Sequence, residues 1–280
     1  MARALLDRGY RVYLLVRNPA KVPSLSGAGL VYGDPMKPGE WQRLCAESQV
    51  VVNLAGESIF GRWSTSKKDR IWDSRVLTTR RVVECMGKGA LLVNASAVGY
   101  YGMDRGEEEL TEDSPPGGDF LARLCVAWEE EALKAQSRGV RVLLLRFGIV
   151  LGRGGALARM LPIFRLGLGG SLGSGNQWFP WVHIDDAVGA LLFLLERELS
   201  GAFNLVSPGI VRQREFAKAL GRALKRPAIL PVPSGLLRLL FGEGAGVFTG
   251  SLRVVPERLL GAGYSFLYHQ IEPALASLLP

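Results

Sequence analysis

Apolar residues fall into short runs separated by stretches with helical spacing. Arg11–Val16, Gly29–Tyr32, Val50–Leu54, Ala90–Ala95, Val140–Phe147 and Phe203–Val206 read as strands. They do not alternate strictly with polar residues, which is the pattern of strands covered on both faces of a parallel sheet. Gly33-Asp34-Pro35 closes the second run and Ala55-Gly56 the third. Trp72–Met86 predicts a helix with Val76, Thr79, Val82, Val83 and Met86 on one face, and Phe120–Ser137 a long helix stopped by Gly139. Trp181–Asp186 leads into an apolar helix ending at Glu196. From Val211 the texture becomes helix-rich, with Pro-Val-Pro at 231–233 and a basic run from Arg253 to Arg258.

Strand-then-helix repetition predicts an α/β fold with a doubly wound, Rossmann-like parallel sheet. The expected division is a Rossmann-like domain over 1–210, including a Gly-rich loop at 153–180, and a small, mixed, helix-rich lobe over 211–280. The opening, Met1 to Arg17, reads as the end of a helix, a Gly turn and a strand. In such a fold one strand and a Gly-rich turn precede that helix and bring backbone N–H groups to a dinucleotide pyrophosphate. Roughly 15 residues of that βα entry are expected to be missing, so the first strand is absent. Weak pyrophosphate binding by the chain as it stands is the expected consequence.

Composition narrows the function classes. An apolar content of 48% in 280 residues supports a real core. The net charge of +8 is scattered rather than striped, so no nucleic-acid partner is expected. Ala187–Leu195, the longest apolar stretch, is too short to span a bilayer, so no membrane partner is expected either. Arg3, Asp7, Arg8 and Arg11 interrupt any secretory signal. Cys45, Cys85 and Cys125 are far apart in sequence, without metal-ligand spacing, and read as reduced thiols of a cytoplasmic protein. His183 with Asp185-Asp186 lacks the ligand set of a metal site, and none is expected.

The candidate chemistry gathers where strands end. Arg17-Asn18-Pro19-Ala20-Lys21 follows a strand at the place where an acidic residue would accept bonds from an adenosine ribose. Arg17 and Lys21 suit the 2′-phosphate of NADP instead; the alternative is a basic surface loop. Asp34, and the small-residue ending Asn53-Leu54-Ala55-Gly56, are further cofactor-facing positions. Ala95-Ser96 ends the next apolar strand; Ser96 either bonds a substrate oxygen or caps the following turn. Arg146-Phe147-Gly148 ends another.

Taken together, Asn53-Leu-Ala-Gly-Glu57, Trp63, Ser74-Arg75, Ser96-Ala-Val-Gly-Tyr-Tyr-Gly102, Glu112-Asp-Ser-Pro115, Trp128-Glu129, Arg146-Phe-Gly-Ile-Val-Leu-Gly152 and Pro180-Trp-Val-His-Ile-Asp-Asp186 resemble the extended short-chain dehydrogenase/reductase superfamily. More narrowly the chain is similar to its nucleoside-diphosphate-sugar-epimerase-like group, and Val255-Pro-Glu-Arg258 through Phe266 to that group's small terminal domain. The resemblance implies NADP as cofactor, held by Arg17, Asn18, Lys21, Asp34, Asn53, Leu54, Ala55, Gly56, Ala95, Arg146, Phe147 and Gly148. It also implies a small-molecule or sugar-nucleotide substrate, with a homodimer left open. Arg153, Arg159 and Arg165 could meet a diphosphate.

One departure concerns chemistry. The superfamily's Tyr-x-x-x-Lys pair supplies the proton and lowers the Tyr pKa. The matching stretch, Phe120 to Glu129, contains neither residue. Ser96, Tyr100 and Tyr101 are the remaining donor candidates, with an aromatic pair packed beneath the loop as the alternative for the tyrosines. Glu57, Arg75 and Glu112 are further polar candidates. Two readings follow: an NADP-dependent epimerase or reductase, or a non-catalytic NADP-binding regulator or scaffold, which the resemblance links to cell division.

Overall fold

The computed structural model describes residues 1–18 and 25–279. A short helix α1 (Ala2–Leu6) turns at Gly9 into β1 (Tyr13–Val16), followed by β2 (Gly29–Tyr32), α2 (Trp41–Glu47), β3 (Val50–Asn53) and α3 (Thr65–Cys85). Gly9 adopts a φ of 82°, a left-handed conformation that only glycine takes without a steric cost. Then come β4 (Leu91–Ala97), the short β5 (Glu109–Leu110), α4 (Phe120–Leu133) and β6 (Arg141–Phe147). Ser64 caps α3 through the Lys67 N–H, and Asp119 caps α4 through the Leu121 and Ala122 N–H groups. The long helix expected to reach Ser137 tightens after Leu133 into a 3₁₀ turn that Gly139 ends at φ 74°.

After β6 comes β7 (Ile149–Leu151), and the segment 153–180, expected to be a Gly-rich loop, carries α5 (Gly155–Arg165). The chain continues through β8 (Trp178–Phe179), β9 (Trp181–His183), α6 (Ile184–Leu195), β10 (Gly201–Leu205), β11 (Val211–Arg212) and α7 (Gln213–Ala223). It closes with α8 (Ser234–Phe241), α9 (Gly246–Thr249), β12 (Arg253–Val254), α10 (Glu257–Gly261) and α11 (Ile271–Leu278). Among the described residues, no helix is long and apolar enough to cross a membrane.

The main sheet is parallel throughout, in the order β10-β6-β4-β3. Strand residues pack alternately on its two faces, as the pleat requires. Leu91, Val93, Leu143, Leu145, Phe203 and Leu205 meet Ala187, Ala190, Leu191 and Leu194 of α6 and Leu259 of α10. Leu92, Val142 and Leu144 meet Trp41 and Cys45 of α2, Val82 and Val83 of α3, and Ala132 of α4. This double cover explains why the strands read as continuous apolar runs. A third cluster joins Leu151, Leu157 and Phe164 to Phe216 and Leu220 of α7 and to Ile271 and Leu275 of α11, so the helix-rich end packs directly on the segment after β6.

β1 and β2 pair in parallel as a separate two-stranded sheet. In a doubly wound sheet the order would run from β2 and β1, through one central strand, to β3 and β4. Among the described residues no strand bonds both β1 and β3. The consequence shows in burial. All but the last residue of β4 are buried, whereas Val50, Val51 and Val52 of β3 are only half-buried and Tyr13 and Leu15 of β1 are exposed.

Candidate cofactor and active site

The carboxyl ends of β1, β3, β4 and β6 define one edge, where ligands bind in such folds. At β1, Arg17 and Asn18 are exposed, and Lys21 lies outside the described residues. At β2, the Asp34 carboxylate accepts the Met36 N–H at 3.1 Å and shapes the turn.

The turn after β3 is built on α3. Asn53 is buried; its amide donates to Thr79 Oγ1 at 3.0 Å and Asn94 Oδ1 at 2.7 Å, while its oxygen accepts the Ala55 N–H. Trp128 Nε1 donates to the same Thr79 hydroxyl at 2.8 Å. The Asn53 side chain therefore clamps β3 to β4 and α3, leaving its backbone and that of exposed Leu54 and Gly56 toward the edge. The close approach that Gly56 permits is used by Arg75: a Cβ on Gly56 would come within 2.9 Å of the guanidinium carbon. Arg75 donates to the Glu57 and Ile71 carbonyls at 3.1 and 3.0 Å, and burial pulls its pKa below the ordinary arginine range. Glu57 pairs with Lys67 at 2.9 Å. That hydrogen bond, with the charges of Lys67, Arg70 and Arg17, holds the Glu57 carboxyl below the usual carboxylate range. The charge of Arg17 at the end of β1 thus reaches the turn after β3, across the position of the unbridged strand.

Beneath the ends of β4 and β6 lies a buried polar cluster. Arg146 forms a two-pronged pair with Glu129, Nε to Oε1 at 2.9 Å and Nη2 to Oε2 at 2.8 Å. Desolvation opposes the Arg146 charge, but the Glu129 carboxylate outweighs it and raises the guanidinium pKa. Arg146 Nη1 also donates to Tyr101 Oη and the Glu112 carbonyl, each at 3.1 Å. Ser96 donates its hydroxyl to Glu129 Oε1 at 2.5 Å, and Tyr101 donates to Asn204 Oδ1 at 2.7 Å. Ser96 is 3% exposed and Tyr101 is fully buried, with burial pushing the Tyr101 phenol up to about 12.

Tyr100 sits differently. It is half-buried, its ring stands edge-on to Tyr101, and the Arg146 guanidinium lies 3.5 Å from its centroid. No described residue hydrogen-bonds its hydroxyl. The two tyrosines do pack as an aromatic pair, but only one of them is spent inside.

Other candidates have structural occupations. Ala95 is buried. Phe147 packs with the face of the sheet toward α6. Gly148 is required by close packing, since a Cβ there would stand 2.5 Å from the Pro180 carbonyl oxygen. Glu112 accepts the Asn204 N–H at 2.9 Å and the Arg258 N–H, and burial raises its pKa. His183 caps α6 by accepting the Asp185 N–H on Nδ1, and its Nε2 lies 3.0 Å from Ser277 Oγ. Asp186 accepts the Leu267 and Tyr268 N–H groups at 2.7 and 3.0 Å. These residues tie the sheet to the C-terminal segment.

Two features escape sequence reasoning. Glu129 carries the buried cluster, and its partners Ser96 and Arg146 come from two different strands. Cys45 and Cys85, forty positions apart, turn their thiols to one backbone oxygen, the Val82 carbonyl. Glu129 stands in the sequence only within the Trp128-Glu129 motif, with no mark of its partners; the cysteine pair leaves no signal.

The model of the NAD dependent epimerase/dehydratase family matches residues 1–205, and that of a domain of unknown function, DUF1731, matches 232–278. The Arabidopsis thaliana protein named epimerase family protein SDR39U1 homolog, chloroplastic, is 39% identical over 295 residues, covering 100% of this chain and 84% of that protein. The Bacillus subtilis epimerase family protein YfhF is 34% identical over 282 residues, covering 98% and 92%. The crystal structure of human epimerase family protein SDR39U1 (isoform 2) with NADPH superposes with a TM-score of 0.85 at 34% identity, covering 99% of this chain and 93% of that one. Sheet order, the capped α3 and α4, and the match over most of the length agree: the chain belongs to the NAD dependent epimerase/dehydratase family.

Proposed function

We propose that this chain is an epimerase-like protein that binds NADP and meets its adenosine 2′-phosphate with Arg17, with Asn18 and, outside the described residues, Lys21 as further cofactor ligands. One observation carries the reading: Arg17 is exposed at the end of β1, and its charge bears on Glu57 beside Lys67 and Arg70. Arg17, Lys67 and Arg70 thus outnumber the single Glu57 carboxylate in this region, a net positive field that favours a phosphate dianion. The human relative solved with NADPH supports the choice of cofactor. Leu54, Ala55 and Gly56 offer backbone at the same edge, and Asp34 shapes the turn that flanks it.

The bound nicotinamide supplies or accepts hydride, and the protein supplies position and a proton. Tyr100 is the proton-handling residue in this proposal, resting on the Arg146 guanidinium. Ser96 and Tyr101 are positioning residues, which hold Arg146 and Glu129 under the Tyr100 ring. The substrate class is a small carbonyl compound or a sugar nucleotide. Reaction of such compounds with NADP(H), followed by nicotinamide absorbance or product chromatography, tests it; a Tyr100→Phe variant matching wild type removes Tyr100 from the mechanism.

A second reading has its own support. The stretch of α4 that matches the usual pair, Phe120 to Glu129, holds neither Tyr nor Lys, and Glu129 is consumed by Arg146 and Ser96. That interior suits a non-catalytic NADP-binding regulator. Binding of NADPH with no turnover across the compound panel selects it.

A further inference from the structure

Cys45 and Cys85 lie outside the cofactor edge. Cys45 is on α2, buried against Val82, Val83 and Met86. Cys85 is the last residue of α3 and only half-buried. Both thiols turn to one backbone oxygen: Cys85 Sγ lies 3.1 Å from the Val82 carbonyl and Cys45 Sγ 3.8 Å from it. Cys125, by contrast, is buried beneath α4 near Ser96 and Glu129.

We propose that Cys45 and Cys85 form a dithiol oxidation site, in which a hydroperoxide converts the pair to a disulfide joining α2 to the end of α3. Cys85 is the first sulfur to react, because it alone of the pair is open to solvent. Its thiolate attacks the O–O bond of hydrogen peroxide, giving Cys85–SOH and hydroxide, which takes up the thiol proton as water. Cys45 sulfur then attacks the Cys85 sulfur, the S–O bond breaks, and a second water leaves with the Cys45 proton. Two thiols and one peroxide give one disulfide and two waters. The second step is internal, so burial of Cys45 does not impede it. The electrostatics run the same way: the Cys45 contact and the nearby Arg138 charge lower the Cys85 pKa, while its contact with Cys85 and its burial raise that of Cys45.

Reduced full-length protein, exposed to a stepwise excess of hydrogen peroxide, should lose two of its three thiols and about 2 Da. A non-reducing tryptic map should join the peptide Leu44–Arg62 to Val82–Lys88, and dithiothreitol should separate them. Cys45→Ser should stop at a dimedone-reactive sulfenic acid on Cys85. Cys85→Ser should keep both remaining thiols at the same dose. Oxygen addition on Cys85 without the cross-link, or a cross-link involving Cys125 or a second chain, overturns the proposal. The wild-type mass and peptide map decide this even where a variant does not fold.

Discussion

Replacing Arg146 by methionine tests how the interior under the candidate site is held. The substitution keeps a long apolar stem but removes the partner of Glu129, whose side chain is 6% exposed. The bare carboxylate would keep only the Ser96 hydroxyl as a side-chain partner. Breaking one side of a buried pair costs about 3–5 kcal/mol. Unfolding entropy of about 2.1 cal/mol/K per residue gives roughly 0.6 kcal/mol/K for this chain, so the midpoint should fall by about 5–9 °C. Arg146→Met combined with Glu129→Leu removes both charges and should recover most of that loss, since a buried pair is often matched by apolar residues of similar volume. Scanning calorimetry of the wild type, both single variants and the double variant closes the cycle. A double variant that loses the sum of the two single losses, or an Arg146→Met loss below about 1 kcal/mol, would refute the claim that one coupled cluster supports the site.

The acid limb of stability should depend on His183. Burial holds its imidazole below the ordinary value, whereas in the unfolded chain it titrates near 6.5. Below that pH the unfolded state takes up a proton that the folded state refuses, so stability falls as pH drops from about 6.5 toward the folded pKa, by at most about 1.4 kcal/mol per pH unit. Denaturant midpoints of His183→Asn, which keeps an acceptor for the Asp185 N–H, should show a shallower limb than wild type; superimposable limbs reject the assignment. Once a substrate is known, Tyr100→Phe should reduce kcat by roughly 10²–10⁴-fold. Tyr101→Phe and Ser96→Ala should act mainly on stability, by about 1–3 kcal/mol as buried partners are lost, and a larger kcat loss in either than in Tyr100→Phe contradicts the division of roles.

Most of the architecture was legible because each central strand is covered on both faces, so Leu91–Val93 and Val142–Leu145 show as uninterrupted apolar runs. The α3 and α4 helices were legible for the complementary reason, since each buries one stripe, but the polar first turns of α3, from its Ser64 cap to Ile71, went unread and the helix was expected to begin only at Trp72. Helix α5 was hidden by Gly154 and Gly155 at its start and by Pro162 within it, and its buried stripe is only Leu157 and Phe164. The site was harder to read. Strand-end positions could be located, yet the direction of each side chain is set by tertiary partners. Asn53, Ser96, Tyr101 and Arg146 all turn inward to partners distant in sequence. Spacing along one strand carries no record of such pairings, and the Trp128-Glu129 motif marks Glu129 without naming its partners.

The account rests on recognition of a 2′-phosphate at Arg17, and a comparative titration tests it most directly. NADPH and NADH are titrated calorimetrically into the wild type and Arg17→Ala. A charge-assisted phosphate contact is worth about 1.5–3 kcal/mol, so the wild type should favour NADPH by roughly 10–150-fold and Arg17→Ala should lose most of that preference. The ratio carries the test, because the two cofactors share the same pyrophosphate and nicotinamide and differ at the 2′-phosphate. Equal affinities in the wild type, or a preference that survives in Arg17→Ala, would contradict the account.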